Sequence, residues 1–515
     1  MKTLIPFLYL CFYLSYSGTA ESQPSGNSKP NILFIMADDH TKQAIGCYGS
    51  RLSKLNPTPT IDRLASQGIQ FDNVFCSNAI CTPSRASIIT GQYSQTNGVL
   101  DLNGSIGPDK QFLPKEMKKA GYETAMIGKW HLKKEPATFD YYCVLPGQGL
   151  YHNPIFNIRG SKPWPKNTIT KKDQHSSDAI TDISLHWLKN ERDKSKPFFL
   201  MHHFKAPHDM FEYAKRYESY LEDVHIPEPE SLFSVPAGSA GSKDLGSGLS
   251  KNHNPWQLPQ KLGVSDDIPE PEYTRLSYQK YLKAYLRCVK GIDDNIARLL
   301  SYLKDSNQLD NTIIIYTSDQ GFFLGEHNLI DKRWMYEEAM GMPFIVYAPG
   351  MIKNNFKNNC LINNTDFAPT LLEIAGLKKT PNYMQGKSFY KALSNQQKPD
   401  EWRTVTYYRY WMHMAHKLAV PAHFGIRSES HKLIFFYGRK YGRRGGKPTP
   451  ISWEFYDLDK DPKEMKNEYK NPEYKEIIKR LKTQLLEIRK DLNEEDKKYP
   501  EIQKIIENNW DQILD

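Results

Sequence analysis

At 515 residues the chain is longer than one hydrophobic core usually grows, which predicts a large domain with a smaller one appended. Its 39% hydrophobic content, 31 tyrosines and 9 tryptophans exclude a disordered chain. The net charge of +9 arises from 68 basic and 59 acidic residues that are mostly intermixed; this suits a polyanionic partner, but no binding motif points to nucleic acid.

At the amino terminus, Met1-Lys2, an apolar run over 4–14 and the small residues Ser17-Gly18-Thr19-Ala20 have the layout of a secretory signal, predicted over residues 1–20. Nothing later reaches the roughly 18 apolar residues of a membrane span. The expectation is an exported protein, periplasmic or secreted, with no transmembrane segment. Seven cysteines in so long a chain, none in Cys-x-x-Cys spacing, indicate neither a disulfide scaffold nor a zinc site.

The runs 31–36 (Asn-Ile-Leu-Phe-Ile-Met) and 312–317 (Thr-Ile-Ile-Ile-Tyr-Thr) are continuously apolar, as central parallel strands buried on both faces are. Each ends in acid: Asp38-Asp39 follow the first, and Asp319, beside Gln320, follows the second. Such residues fall at the carboxyl edge of a sheet, where open α/β folds build their sites. Further strands are expected at 197–202 and 342–347, with helices at 278–303 and 365–375, an α/β pattern. The Pro-, Gly- and Ser-rich stretch 227–271 reads as a long loop predicted to rim the site. Beyond about 395 come short aromatic strands at 404–410, 424–427 and 432–437 and a charged helix at 471–492, a smaller α+β module. The predicted division is 28–395 and 396–515.

Asp38, Asp39, Asp319 and Gln320 offer only oxygen, which suits a hard cation, calcium before magnesium, rather than zinc. The segment 79–91 reads as a loop entering a helix, with Pro83 near the first helical position and Cys81 at the helix start. Backbone amides there favour an anion, and Arg85, four residues on, adds a bidentate partner.

Cys81-Thr-Pro-Ser-Arg85, followed by Gly121-Tyr-Glu-Thr-Ala-Met-Ile-Gly-Lys129-Trp-His131, resembles both signature segments of the type I sulfatases of the alkaline phosphatase superfamily. The resemblance extends over Asp38-Asp39, Lys205-Ala-Pro-His208, Ser318-Asp319-Gln320-Gly321 and Asp331-Lys332-Arg333-Trp334. It implies a large mixed, mostly parallel sheet flanked by helices, plus a smaller C-terminal α+β subdomain with an antiparallel sheet. It also implies that a maturation enzyme oxidises Cys81 to formylglycine, whose hydrate is the nucleophile. Asp38, Asp39, Asp319, Gln320 and modified Cys81 would then ligate one calcium ion, although Gln320 departs from the Asn or His common there. By the same resemblance Arg85, Lys129 and Lys332 clamp the sulfate, His131 acts at modified Cys81 and His208 protonates the leaving oxygen.

The implied substrate is a sulfated glycan, and the run 332–338 looks most like the hexosamine-6-sulfatase branch. Two alternatives stay open: a phosphodiesterase or phosphonate monoester hydrolase of the same superfamily, and a non-catalytic glycan-binding protein if Cys81 is never matured. His327 stands near the metal motif without an assigned role. The segment 407–416, with His413 and His416, precedes Arg427 and combines aromatic faces as a sugar-recognition surface does, or else buries them against the large domain. Oligomeric state is left open.

Overall fold

The computed structural model describes residues 29–511 apart from 240, 243–244, 255, 353–354, 395–397 and 442–446. The expected signal segment and the boundary expected at 395–396 lie outside the described residues. Among the described residues no helix is long and apolar enough to cross a membrane.

A ten-stranded sheet runs Phe356–Asn358, Ile69–Phe71, Phe344–Tyr347, Thr312–Ser318, Asn31–Ala37, Phe198–His203, Glu123–Lys129, Tyr141–Leu145, Ile155–Ile158 and Thr168–Thr170. The five central strands, from Thr312–Ser318 to Tyr141–Leu145, are mutually parallel. Antiparallel pairings appear toward both margins. The continuous apolar run of Asn31–Ala37 has a simple cause: Ile32, Phe34 and Met36 enter the core on one face, while Leu33, Ile35 and Ala37 enter the core on the other. Burying each such large apolar side chain is worth about 1.5–3 kcal/mol. The 34-residue helix Glu272–Asp305 covers one face through Tyr281, Leu282, Tyr285, Val289, Ile292 and Ile296. Helices Cys81–Thr90 and Phe367–Ile374 cover the other.

The C-terminal part holds a four-stranded antiparallel sheet in the order Val405–Tyr410, His423–Ser428, His431–Phe436, Ser452–Asp457. Along its third strand Leu433 and Phe435 pack with Ile478, Leu481 and Leu485 of helix Lys475–Asp491, whereas Ile434 and Phe436 join the large core. The period of two thus inserts this sheet as a layer between the large domain and its own helix. The long loop 227–271 packs on the segment before Lys332: the His327 amide donates to Ser231 Oγ at 2.9 Å, and the Ile330 amide donates to the Ser247 carbonyl at 2.7 Å.

Candidate active site

Four adjacent parallel strands deliver the candidate residues to one edge. Asp38-Asp39 follow Asn31–Ala37, Asp319-Gln320 follow Thr312–Ser318, Lys129 ends Glu123–Lys129, and His208 lies five residues beyond Phe198–His203. Just before Lys129 the backbone of Gly128 has φ +101°, and a β-carbon there would lie 1.9 Å from the His203 carbonyl oxygen. Only glycine lets the strand carry Lys129 so close to its neighbour. Asp39 also adopts a left-handed φ of +68°. Its turn is held by its own amide donating to Asp319 Oδ1 at 3.2 Å and by Tyr285, whose hydroxyl donates to the Asp39 carbonyl at 2.7 Å.

Cys81 is the first residue of its helix, after Ile80 in extended conformation, and every residue of that helix is buried. Pro83 falls in the first turn, where a missing amide hydrogen costs nothing. Ser84 Oγ donates to the Asp319 carbonyl, which fastens the helix start to the loop after Thr312–Ser318. The Arg85 guanidinium is committed to protein: Nε donates to Asp319 Oδ2 at 2.9 Å, Nη1 to the Lys129 carbonyl at 2.5 Å, and Nη2 to Asp38 Oδ1 at 3.4 Å.

The groups converge closely. One carboxylate oxygen from each of Asp38, Asp39 and Asp319 lies within 4.8 Å of the others, and so do the ligand atoms of Asp38, Cys81 and His208. The Gln320 amide nitrogen is 3.8 Å from Cys81 Sγ and also donates to Asp39 Oδ1. Lys332 Nζ reaches both Asp39 oxygens, at 2.7 and 2.5 Å, while Lys129 Nζ pairs with Asp38 and Gln148. His208 Nε2 stands 3.8 Å from Asp39 Oδ2. His131, with φ +52°, has a buried Nδ1 without a hydrogen-bond partner.

Three buried carboxylates this close repel one another. Burial, followed by Asp38, pushes the Asp319 carboxyl up to about 8. Burial raises Asp39 as well, against Lys332. For Asp38 burial is outweighed by Lys129, His208 and Arg85, which hold it well below the usual carboxylate range. Burial and then Lys129 press His131 down to about 2, so its imidazole is neutral here. Burial, then Asp38, pushes the Cys81 thiol upward, so an unmodified thiolate is disfavoured here. The residues fit a hard cation: the donors are oxygens, their mutual repulsion is what a divalent charge relieves, and Gln320 Oε1 is a buried acceptor without a partner.

Residues 30–377 match the family described as Sulfatase, and residues 325–491 match N-sulphoglucosamine sulphohydrolase, C-terminal. The chain belongs to the sulfatase family. It is therefore a sulfuric ester hydrolase, and members of the family in general use a metal ion and a formylglycine. This sulfatase is 38% identical to the N-acetylglucosamine-6-O-sulfatase of Bacteroides thetaiotaomicron, over 94% of this chain and 90% of the relative. It is 26% identical to an arylsulfatase of Clostridium perfringens over 89% and 94% of the two chains. Among solved structures, one held in complex with its substrate D-glucosamine-2-N,6-O-disulfate superimposes with a TM-score of 0.81 at 36% identity, covering 91% of this chain and 99% of that one. The alkaline-phosphatase-like fold expected from the motifs is the fold of this sulfatase.

The structure brings Asp38, Asp39, Cys81, Arg85, Lys129, His208, Asp319, Gln320 and Lys332 into one contiguous cluster, with His131 two residues beyond Lys129. It does not bring in the aromatic segment as a surface. Tyr407, Tyr408, Tyr410 and Trp411 are buried in the two cores, and His413 is closed between the Lys447 carbonyl and the Ala422 amide. Arg427 pairs with Glu337 at 3.2 Å, and His327 faces Glu338 at 3.5 Å. His416 alone of that group is exposed, with Nδ1 3.3 Å from Arg333. Sequence reasoning passed over Gln148, Tyr285 and Asp209, whose places depend on tertiary contacts. Asp209 carried one signal, its position next to His208.

Proposed function

We propose that this sulfatase removes the 6-O-sulfate from glucosamine-type residues of a sulfated glycan, through formylglycine at position 81 and one calcium ion held by Asp38, Asp39, Asp319, Gln320 and modified Cys81. The observation that carries the reading is Cys81 at a helix start, beside Gln320 and within reach of Asp38 and His208. The similarity to an N-acetylglucosamine-6-O-sulfatase, and to a structure holding a 6-O-sulfated glucosamine, supports the sugar.

In this reading one hydroxyl of the hydrated residue 81 gives its proton to a carboxylate of the cluster as it attacks sulfur, and the sugar oxygen departs with a proton from His208. His131 takes the proton of the second hydroxyl, the carbonyl re-forms and sulfate leaves, so water need not attack the covalent sulfate ester. Lys129 and Lys332 balance the charge that gathers on the sulfate oxygens, and Arg85 braces Asp38 and Asp319. A bound calcium ion would orient the attacking oxygen and polarise the sulfate. The large domain carries this machinery, and the C-terminal module supports the loop before Cys81 through the Tyr408 hydroxyl, which accepts from the Ala79 amide at 3.2 Å.

The test is sulfate release from N-acetylglucosamine 6-O-sulfate and from N-sulfated glucosamine, and phenol release from an aryl phosphonate ester, by the same preparation with and without exhaustive chelation. Release from the 6-O-sulfate alone, with chelation lowering both turnover and thermal midpoint, is the expected result. Faster cleavage of the phosphonate, or release of the N-sulfate, overturns the reading.

A further inference from the structure

The geometry points to Asp209 as a positioning residue for His208, an inference that rests on the reading of His208 as the acid of the leaving oxygen. The His208 ring presents two different environments. Its Nε2 faces the reaction centre, 3.8 Å from Asp39 Oδ2, and the ring belongs to the group whose ligand atoms lie within 4.8 Å of Asp38 and Cys81 Sγ. Its Nδ1 faces away and pairs with the Asp209 carboxylate. The same nitrogen lies 2.9 Å from the Asp209 carbonyl. Among the described ion pairs His208 is the one partner of Asp209, and Lys332 and Lys205 act on that carboxylate less strongly and from farther away.

The backbone is pinned on either side of the pair. The Tyr151 hydroxyl donates to the His208 carbonyl, and the His208 amide lies 3.3 Å from the Lys205 carbonyl. With Nδ1 fixed as the N–H that points to Asp209, Nε2 is the nitrogen left to serve the substrate. When the sulfur–oxygen bond breaks, its electron pair goes to the leaving oxygen and the Nε2 proton follows. Asp209 stays ionised throughout and holds the ring.

A sugar alcohol leaves badly without that proton, whereas a nitrophenolate leaves well without it. The ratio of kcat on N-acetylglucosamine 6-O-sulfate to kcat on nitrophenyl sulfate therefore reads the acid step, and it cancels any difference in folding or in maturation of Cys81. Asp209→Asn should lower this ratio by about 10- to 100-fold, with KM for the sugar moving less than about threefold. His208→Ala should lower it further. An Asp209→Asn enzyme that loses both activities equally, or whose change is confined to KM for the sugar, overturns the inference while His208→Ala still shows the ratio effect. If His208→Ala leaves the ratio unchanged, the underlying reading of His208 fails instead.

Discussion

The carboxyl edge of the large sheet and the C-terminal interface both bury charge, and they arrange it in opposite ways. At the sheet edge three carboxylates crowd within 4.8 Å, and Gln320 Oε1 and His131 Nδ1 lack hydrogen-bond partners. At the C-terminal interface two guanidinium groups share one carboxylate: Asp496 sits between Arg409 and Arg489, at 2.6 Å from each, and Arg409 lies 3.5 Å over the Trp411 ring. The first is an arrangement whose repulsion a cation would relieve. The second is held by ion pairs and ring contacts within the chain. Buried charge by itself therefore does not mark a site; like charges gathered at strand ends do.

Asp319→Ala strikes the first region hardest. On the proposed function, turnover should fall by roughly 10^4-fold, and a chelator should no longer shift the thermal midpoint, because a bound ion would lose a carboxylate and Arg85 would lose one of its partners. Differential scanning of wild type and variant with and without chelator checks it. Asp496→Asn strikes the second. Leaving two buried guanidinium groups without their anion should cost about 3–5 kcal/mol in denaturant unfolding, yet kcat per folded molecule should hold within about twofold. A large loss of kcat at intact stability would erase the contrast between the regions.

Lys332→Ala should reduce kcat by about 100- to 1000-fold, some 2.7–4 kcal/mol, with a smaller change in KM, as steady-state kinetics will show. The smallest effect concerns Glu494, buried beside Arg409, whose carboxyl burial pushes up to about 7. The folded chain then holds a proton that the unfolded chain releases nearer 4.5, so this stability is complete below that pH and is lost as pH rises through about 7. The swing is on the order of 3 kcal/mol. Glu494→Gln should flatten the unfolding free energy across that window; an unchanged slope would assign it to another group.

Much of the first region was legible in the sequence because its physics is local. Continuous apolar runs ending in acid announced the two central strands, and a helix start announced Cys81. Strand Glu123–Lys129 was hidden in a signature segment interrupted by Gly128, a residue that looks like a turn and in fact serves close packing against His203. The marginal strands of three or four residues are too short to display a period. The aromatic strands of the C-terminal sheet were found, but their role was not, since both faces of that sheet are buried and no alternation of polarity separates a surface from a core. Gln148 and Tyr285 reach the site from 19 and 246 residues away along the chain, a distance no local pattern spans.

The most direct test of the central claim is the mass of the peptide carrying residue 81, taken from enzyme of known specific activity. A species about 18 Da lighter than the cysteine peptide, present in proportion to activity, is the predicted result. Full turnover from protein in which every such peptide retains the thiol would contradict it.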